Sequence, residues 1–156
     1  VKSSIDLNAD LGEGFPNDGA LLAIVTSANV SCGAHAGTND EIRETLRLAK
    51  KHGVVVGAHP GYADRANFGR IEQSVSEGEV RRLVLDQVTQ LAALAVPLDI
   101  SIQYIKPHGA LYNQAQTSAS IAMGIADAAN SLRLPVVGLP DSQVAVAAKR
   151  CGIHFV

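Results

Sequence analysis

Tryptophan is absent from this 156-residue chain, and three Tyr with three Phe make up only 4% aromatics. A chain so poor in rings offers no stacking platform for single-stranded nucleic acid. Its core must be built from Val, Ile, Leu and Ala, which suits parallel strands covered by helices on both faces. Cysteine is scarce as well. Cys32 and Cys151 form neither a disulfide framework nor a metal-type spacing, and they read as two reduced thiols in a cytoplasmic protein. Only 18% of residues are charged, and thirteen Lys/Arg against fifteen Asp/Glu leave a net charge of −2. That balance gives no electrostatic footprint for nucleic acid or for an anionic membrane. The apolar runs Ala20 to Val25 and Leu91 to Leu98 fall far short of the roughly 20 residues that span a bilayer. The opening Val1-Lys2-Ser3-Ser4-Ile5-Asp6 enters a polar strand directly and lacks the pattern of a secretory leader.

Several catalytic signatures are missing too. There is no Gly-x-x-x-x-Gly-Lys-Ser/Thr loop to cradle ATP, no Gly-x-Gly-x-x-Gly dinucleotide fingerprint and no His-Glu-x-x-His zinc motif. No Gly-x-Ser-x-Gly elbow supports a serine hydrolase. Cys32 lies near His35, but its side chain alternates away from it, so a cysteine nucleophile is disfavoured.

What is present is a rhythm of strand and helix. Apolar, β-branched runs predict strands at Ile5 to Asp10, Ala28 to Gly33, Val54 to His59, Ile100 to His108, Pro135 to Leu139 and Ile153 to Val156. Helices are expected over Asp40 to His52, from Ser76 to Pro97, over Thr117 to Leu132, and from Asp141 as N-cap to Gly152, with a short one near Ala20 to Val25. Ser76-Glu77-Gly78-Glu79 has the form of a capping box. Strand alternating with helix, without a hairpin signal, means a parallel sheet in one domain, residues 1–156. The last strand has no helix after it. The units present cannot close an eight-stranded barrel of about 250 residues, so the expectation is an open sheet or the N-terminal part of a longer barrel.

The polar chemistry collects at the carboxyl ends of these strands, where parallel βα architectures place their sites. Alternation puts Asp6, Asn8 and Asp10 on one face of the first strand, with Glu13 just beyond. An edge strand with one face in water would also explain that pattern. The second strand exits through Asn29, Gly33 and His35, the third through His59, and the fourth through Lys106, His108, Tyr112 and Asn113. One histidine at a strand end is more often a satisfied structural residue. Three at equivalent exits, facing carboxylates, favour a site. Lys106 shares a face with Tyr104 and His108, and pointing inward it needs a carboxylate or an anionic substrate to neutralise it. The bland alternative is a lysine at the rim reaching water. His52 and His154 are left to a helix end and the last strand. The His/Asp set has the donor chemistry for a divalent metal such as zinc, manganese or iron, though the spacing does not select one.

Asp6-Leu7-Asn8-Ala9-Asp10-Leu11-Gly12-Glu13, Ser27 to Gly37, Gly57-Ala58-His59-Pro60-Gly61-Tyr62 and Lys106-Pro107-His108-Gly109-Ala110-Leu111-Tyr112-Asn113 follow one another in order. Together they resemble the LamB/YcsF family of lactam-utilisation proteins, over essentially the whole chain. The departures are small: Ala9 stands where the family often has Cys, Gly37-Thr38-Asn39 where it often has Gly-Asp-Pro, and Ala63 where Pro is common. The resemblance implies a TIM-like, seven-stranded (β/α) barrel of the sugar-deacetylase type, here incomplete, because family members run on at the C-terminal end by about 90 to 100 residues. It implies ATP-dependent opening of the lactam 5-oxoproline to L-glutamate. Two further 5-oxoprolinase subunits would act with this chain and handle the ATP.

The catalytic candidates are then Asp10, for orienting or deprotonating water, Lys106, for stabilising developing charge, and His59 and His108, for protonating the leaving nitrogen. Asn8, Glu13, Asn29, Gly33, His35, Tyr112 and Asn113 are the substrate-binding candidates. The alternatives are a metal-dependent, deacetylase-like amidohydrolase acting alone and a non-catalytic subunit for binding or scaffolding.

Overall fold

The computed structural model describes residues 5–156. The leader reading of residues 1–4 lies outside the described residues. The chain begins with β1 (Asn8–Leu11), α1 (Asp18–Leu22), β2 (Ser27–Ser31), α2 (Asn39–His52) and β3 (Val55–His59). It continues with α3 (Glu77–Ala95), α4 (Gly109–Thr117), α5 (Ala119–Leu132) and α6 (Gln143–Cys151). The three strands form a parallel sheet in the order β1-β2-β3, with Asp10 opposite Asn29 and Ser31 opposite His59. Parallel bridges continue the array from Ala58 to Ile105, to Val136, to Phe155. Six segments therefore lie side by side in chain order, as the alternating pattern requires.

The boundaries differ from the sequence expectations for local reasons. β1 starts at Asn8 rather than Ile5, because the Thr26 hydroxyl takes the Leu7 N–H at 2.8 Å. β2 stops at Ser31, where the hydroxyl folds the chain back by donating to the Ala36 carbonyl and accepting from Gly33 N–H. The expected strands at 100–108, 135–139 and 153–156 are reduced to single bridges with flanking backbone bonds such as Gln103 N–H to Val56 carbonyl, 2.8 Å. The helix expected over 117–132 is α5, and a further helix that the sequence reading did not expect, α4, precedes it over Gly109–Thr117. Ser118 sits in extended backbone between α4 and α5, and its hydroxyl caps Ile121. The last helix is capped by Ser142, not Asp141, whose φ of 59° places it before the helix in the left-handed region.

The long helices follow their caps and stripes. Ser76 and Glu79 form the expected box at the start of α3, and Thr38 with Glu41 forms a second at α2. Lys50, Lys51 and His52 occupy the last turn of α2, where cations suit the helix dipole. Val80, Val84, Val88, Leu91 and Ala95 of α3 are buried in one aliphatic cluster with Ile121, Ile125 and Ala129 of α5. Ala28, Val30, Val56, Ala58, Ile105 and Val136 bring the sheet into the same cluster. Alternation leaves Ser27, Asn29 and Ser31 on the other face of β2, all buried. An aliphatic wall outside and a polar face inside is the frame on which the site is built. No helix among the described residues is long and apolar enough to cross a membrane.

Candidate active site

Period-2 alternation aims Asn8 and Asp10 of β1 and Asn29 of β2 at one interior face. Asn29 spends its two amide protons on them, donating to Asp10 Oδ1 at 2.6 Å and to Asn8 Oδ1. Asn8 in turn donates to the Tyr104 hydroxyl at 2.9 Å. The Tyr104 ring lies against Gly57, where any Cβ would collide with it, so β3 needs glycine at this position. Lys106 crosses from the fourth segment and donates to Asp10 Oδ1 at 2.8 Å. The lysine finds the carboxylate its inward direction demands.

Burial pushes the Asp10 carboxyl up. The hydrogen bond and charge of His59, then the bonds from Lys106 and Asn29, outweigh it and hold the group well below the usual carboxylate range. Asp10 is therefore an ionised anchor.

Beside it lie four groups from four strand exits: Glu13, His35, His59 and His108. Their ligand atoms all fall within 4.8 Å of one another, so the cluster could hold a metal ion. Glu13 Oε1 is 3.1 Å from His35 Nε2, 3.5 Å from His108 Nδ1 and 3.9 Å from His59 Nε2. His59 Nε2 is also 3.5 Å from Asp10 Oδ2, which joins the two halves of the site. His35 and His108 stack with centroids 3.8 Å apart. Gly61 lets them close, since a Cβ there would sit 2.9 Å from His35 Nδ1. Burial, with the charge of His35, pushes His108 down to about 4 against the weaker pull of the Phe68 carbonyl bond. His108 is neutral at neutral pH.

The LamB/YcsF family model matches residues 5–156. The chain belongs to the LamB/YcsF family. Three 5-oxoprolinase subunits, from Neisseria meningitidis strains of serogroups A, B and C, are 42% identical to it over 97% of its length. The chain spans 63% of the length of those relatives. The solved lactam utilization protein of Thermus thermophilus is 40% identical, with a TM-score of 0.96 over 99% of this chain and 65% of that one. A protein from Enterococcus faecalis V583 named for cellobiose-phosphate cleavage shares the fold at a TM-score of 0.61 and 11% identity, covering 95% of this chain and 64% of that one.

In this LamB/YcsF chain the structure gathers Asn8, Asp10, Glu13, Asn29, His35, His59, Lys106 and His108 into one connected set. Tyr112 stands at its rim, its ring centroid 5.9 Å from Lys106 Nζ. Asn113 is exposed on α4, away from these contacts. Gly33 supplies no side chain; its carbonyl accepts from Arg65 at 2.7 Å, and Gly37 accepts from the same guanidinium at 2.9 Å. Cys32 is buried, its thiol pushed up to about 12 by desolvation, so it is no nucleophile.

Two supporting residues belong to none of the strand-exit motifs. Phe68 accepts the His108 Nε2–H on its carbonyl at 2.8 Å and sets its ring edge against His35 and His108. Gln87, buried in α3, clamps Gly61 from both sides, accepting its N–H at 3.0 Å and donating to its carbonyl at 2.7 Å. Gln87 does carry a signal: it is an amide on the apolar stripe between Val84 and Leu91, where a polar residue needs a buried partner.

Proposed function

We propose that this chain is one component of an ATP-dependent 5-oxoprolinase, hydrolysing the lactam amide of 5-oxoproline to L-glutamate with two partner subunits. The match to 5-oxoprolinase subunits across nearly the whole chain carries the reading, and the strand-end site is its physical support. We place the chain as the N-terminal part of a seven-stranded (β/α) barrel. β1 and the segment through Phe155 form the two outer members of the parallel array among the described residues. The cytoplasmic reading rests on two unpaired thiols, Cys32 and Cys151.

An unstrained lactam is a poor electrophile with a poor leaving group. The chain has no phosphate-cradling loop, so partner subunits would use ATP to phosphorylate the lactam oxygen. Water then adds to the ring carbonyl carbon and gives its proton to the phosphate oxygens. The C–N bond breaks as its nitrogen takes a proton to leave an acyl phosphate, and a second water hydrolyses that to glutamate and phosphate. Asp10, held ionised, binds protons too weakly to serve as a strong base, and its part is to orient the attacking water. Lys106 faces the same point with two ammonium protons left after its bond to Asp10. It stabilises the developing negative charge and supplies the proton to nitrogen.

His59 and His108 fit the donor role poorly. Carbonyl oxygens only accept, so the Nδ1–H of His59 is spent on the Lys106 carbonyl at 2.6 Å and its Nε2 side is turned to Asp10, while the N–H of neutral His108 is spent on the Phe68 carbonyl. Asn8, exposed beside Asp10, would receive the substrate's ring amide or carboxylate, with Tyr112 at the rim, while the fully buried Asn29, both amide protons spent, holds Asn8 and Asp10 in place.

The test is 5-oxoproline turnover by the assembled complex. Lys106→Ala is expected to lower kcat by about 100- to 10,000-fold, the range for losing a positioned acid–base group, and Asp10→Asn, which loses the orientation of the water, by about 100-fold. Near-normal turnover in either variant removes that residue from the reaction. Lactam hydrolysis by the chain without ATP or partners would favour the stand-alone amidohydrolase.

A further inference from the structure

We infer that Glu13, His35, His59 and His108 form a binding site for one divalent transition-metal ion, of the zinc, cobalt or manganese class. The positions of the ring protons come first. His59 donates Nδ1–H to the Lys106 carbonyl, and His108 donates Nε2–H to the Phe68 carbonyl. In their neutral forms the opposite nitrogens carry bare lone pairs, and the proton that gives His59 its charge and its bond to Asp10 sits on Nε2, where an ion would displace it. Those two atoms, His59 Nε2 and His108 Nδ1, face each other at 3.1 Å, and both face the Glu13 carboxylate. Lone pairs and a carboxylate converge on one point with only the His35 ring opposing them. Such a point calls for a positive charge, either a shared proton or a metal ion.

Three observations favour the ion. First, a metal-ligating histidine almost always donates its far N–H to a carbonyl or carboxylate, which fixes the ring and its tautomer. His59 and His108 both do so, through backbone that belongs to neighbouring strand exits. Second, a tetrahedral ion with bonds of about 2.0–2.1 Å holds its donors roughly 3.3–3.4 Å apart. Four of the six separations here are 3.1, 3.1, 3.5 and 3.9 Å, and the two from His35 to the other rings fall within 4.8 Å, so that ring must draw in. Third, His35 Nε2 lies 3.1 Å from Glu13 Oε1, and His35 joins as a ligand once its proton moves to Nδ1, unpartnered among the described residues, and its ring tilts out of the parallel stack on His108. The three histidines are at most 6% exposed, so the donors are dry, and Glu13, His59 and His108 are already held in place. Three imidazoles and a carboxylate suit borderline first-row ions and disfavour Mg2+, which prefers oxygen and water.

The experiment uses the chelator-treated protein with Co2+ and Zn2+ as probes and Mg2+ as comparison. One equivalent of Co2+ is expected to bind with the visible bands of a nitrogen- and oxygen-ligated ion. Zn2+ is expected to displace it and Mg2+ is not. Losing a ligand costs at least what losing its outer partner does, so Glu13→Gln and His108→Gln should each weaken Zn2+ binding by about 100-fold. His52→Ala, at the surface end of α2, should leave it unchanged. X-ray absorption of the zinc-loaded wild type needs no variant to fold and is expected to count three imidazoles. No saturable binding, two or fewer imidazoles, or unchanged affinity in the ligand variants overturns the site in favour of a shared proton. These readouts involve no turnover, so they stand or fall apart from the lactam reading.

Discussion

Asp10 shows how much a single position can disclose. Its alternation with Asn8, and the need of an inward Lys106 for a counter-charge, point both into the site from sequence alone, and the 2.8 Å contact follows from that need. The three strand-exit histidines are legible for the same reason: glycine-flanked strand ends in a parallel sheet converge. Glu13 reads as a substrate contact in the sequence, whereas its carboxylate lies among the histidines. Phe68 is not legible, because it acts through a backbone carbonyl that no side-chain pattern encodes. Cys32 gives the clearest residue-scale prediction. Its burial and its thiol pushed up to about 12 leave almost no thiolate at pH 8. Iodoacetamide on the native protein is expected to label Cys151, which is partly exposed, and to reach Cys32 only after denaturation. Mass spectrometry of the labelled peptides reads the outcome, and native labelling of Cys32 would show that its burial is not maintained.

At the scale of elements, helices are easier to read than strands. A helix announces itself locally, by a cap, a stripe and a stop, and α2 and α3 carry all three. A strand in a parallel sheet is defined by partners far away in sequence. The runs at 100–108, 135–139 and 153–156 accordingly have the right composition but only one bridged residue each. Helix α4 is hidden in the sequence because it starts directly at the strand-exit His108, which makes no side-chain cap. The box at α3 can be tested directly. Ser76 Oγ accepts from Glu79 N–H at 3.3 Å, while the Glu79 carboxylate takes the Ser76 N–H at 2.8 Å. Ser76→Ala is expected to cost about 1 kcal/mol in urea unfolding, the usual loss for a cap. Ser76→Asp, which keeps an acceptor, should recover most of it.

On the scale of the whole molecule, a buried cluster of imidazoles ties stability to pH. An unfolded histidine takes its proton near pH 6.5, whereas folded His108 resists until about 4. Desolvation is the main cause, then the charge of His35 stacked on it, and the Phe68 carbonyl and Glu13 only partly offset these. Between those two pH values the unfolded chain binds more protons than the native one, so acidification favours unfolding. The contribution of His108 is present in full above about pH 6.5 and is lost as the pH falls through 4. Asp10 extends the decline further, because its folded pKa lies below the ordinary 3.8 and the unfolded carboxyl protonates first. Chelator-treated protein should therefore lose stability steadily between pH 6.5 and 4, with a slope approaching one proton per molecule. His108→Gln, which cannot titrate, should flatten that slope. Urea unfolding at half-unit pH steps measures both. Stability that stays level from about pH 7 to 4.5 in the wild type would mean that His108 is protonated in the native state, and that the cluster is wetter than its burial indicates.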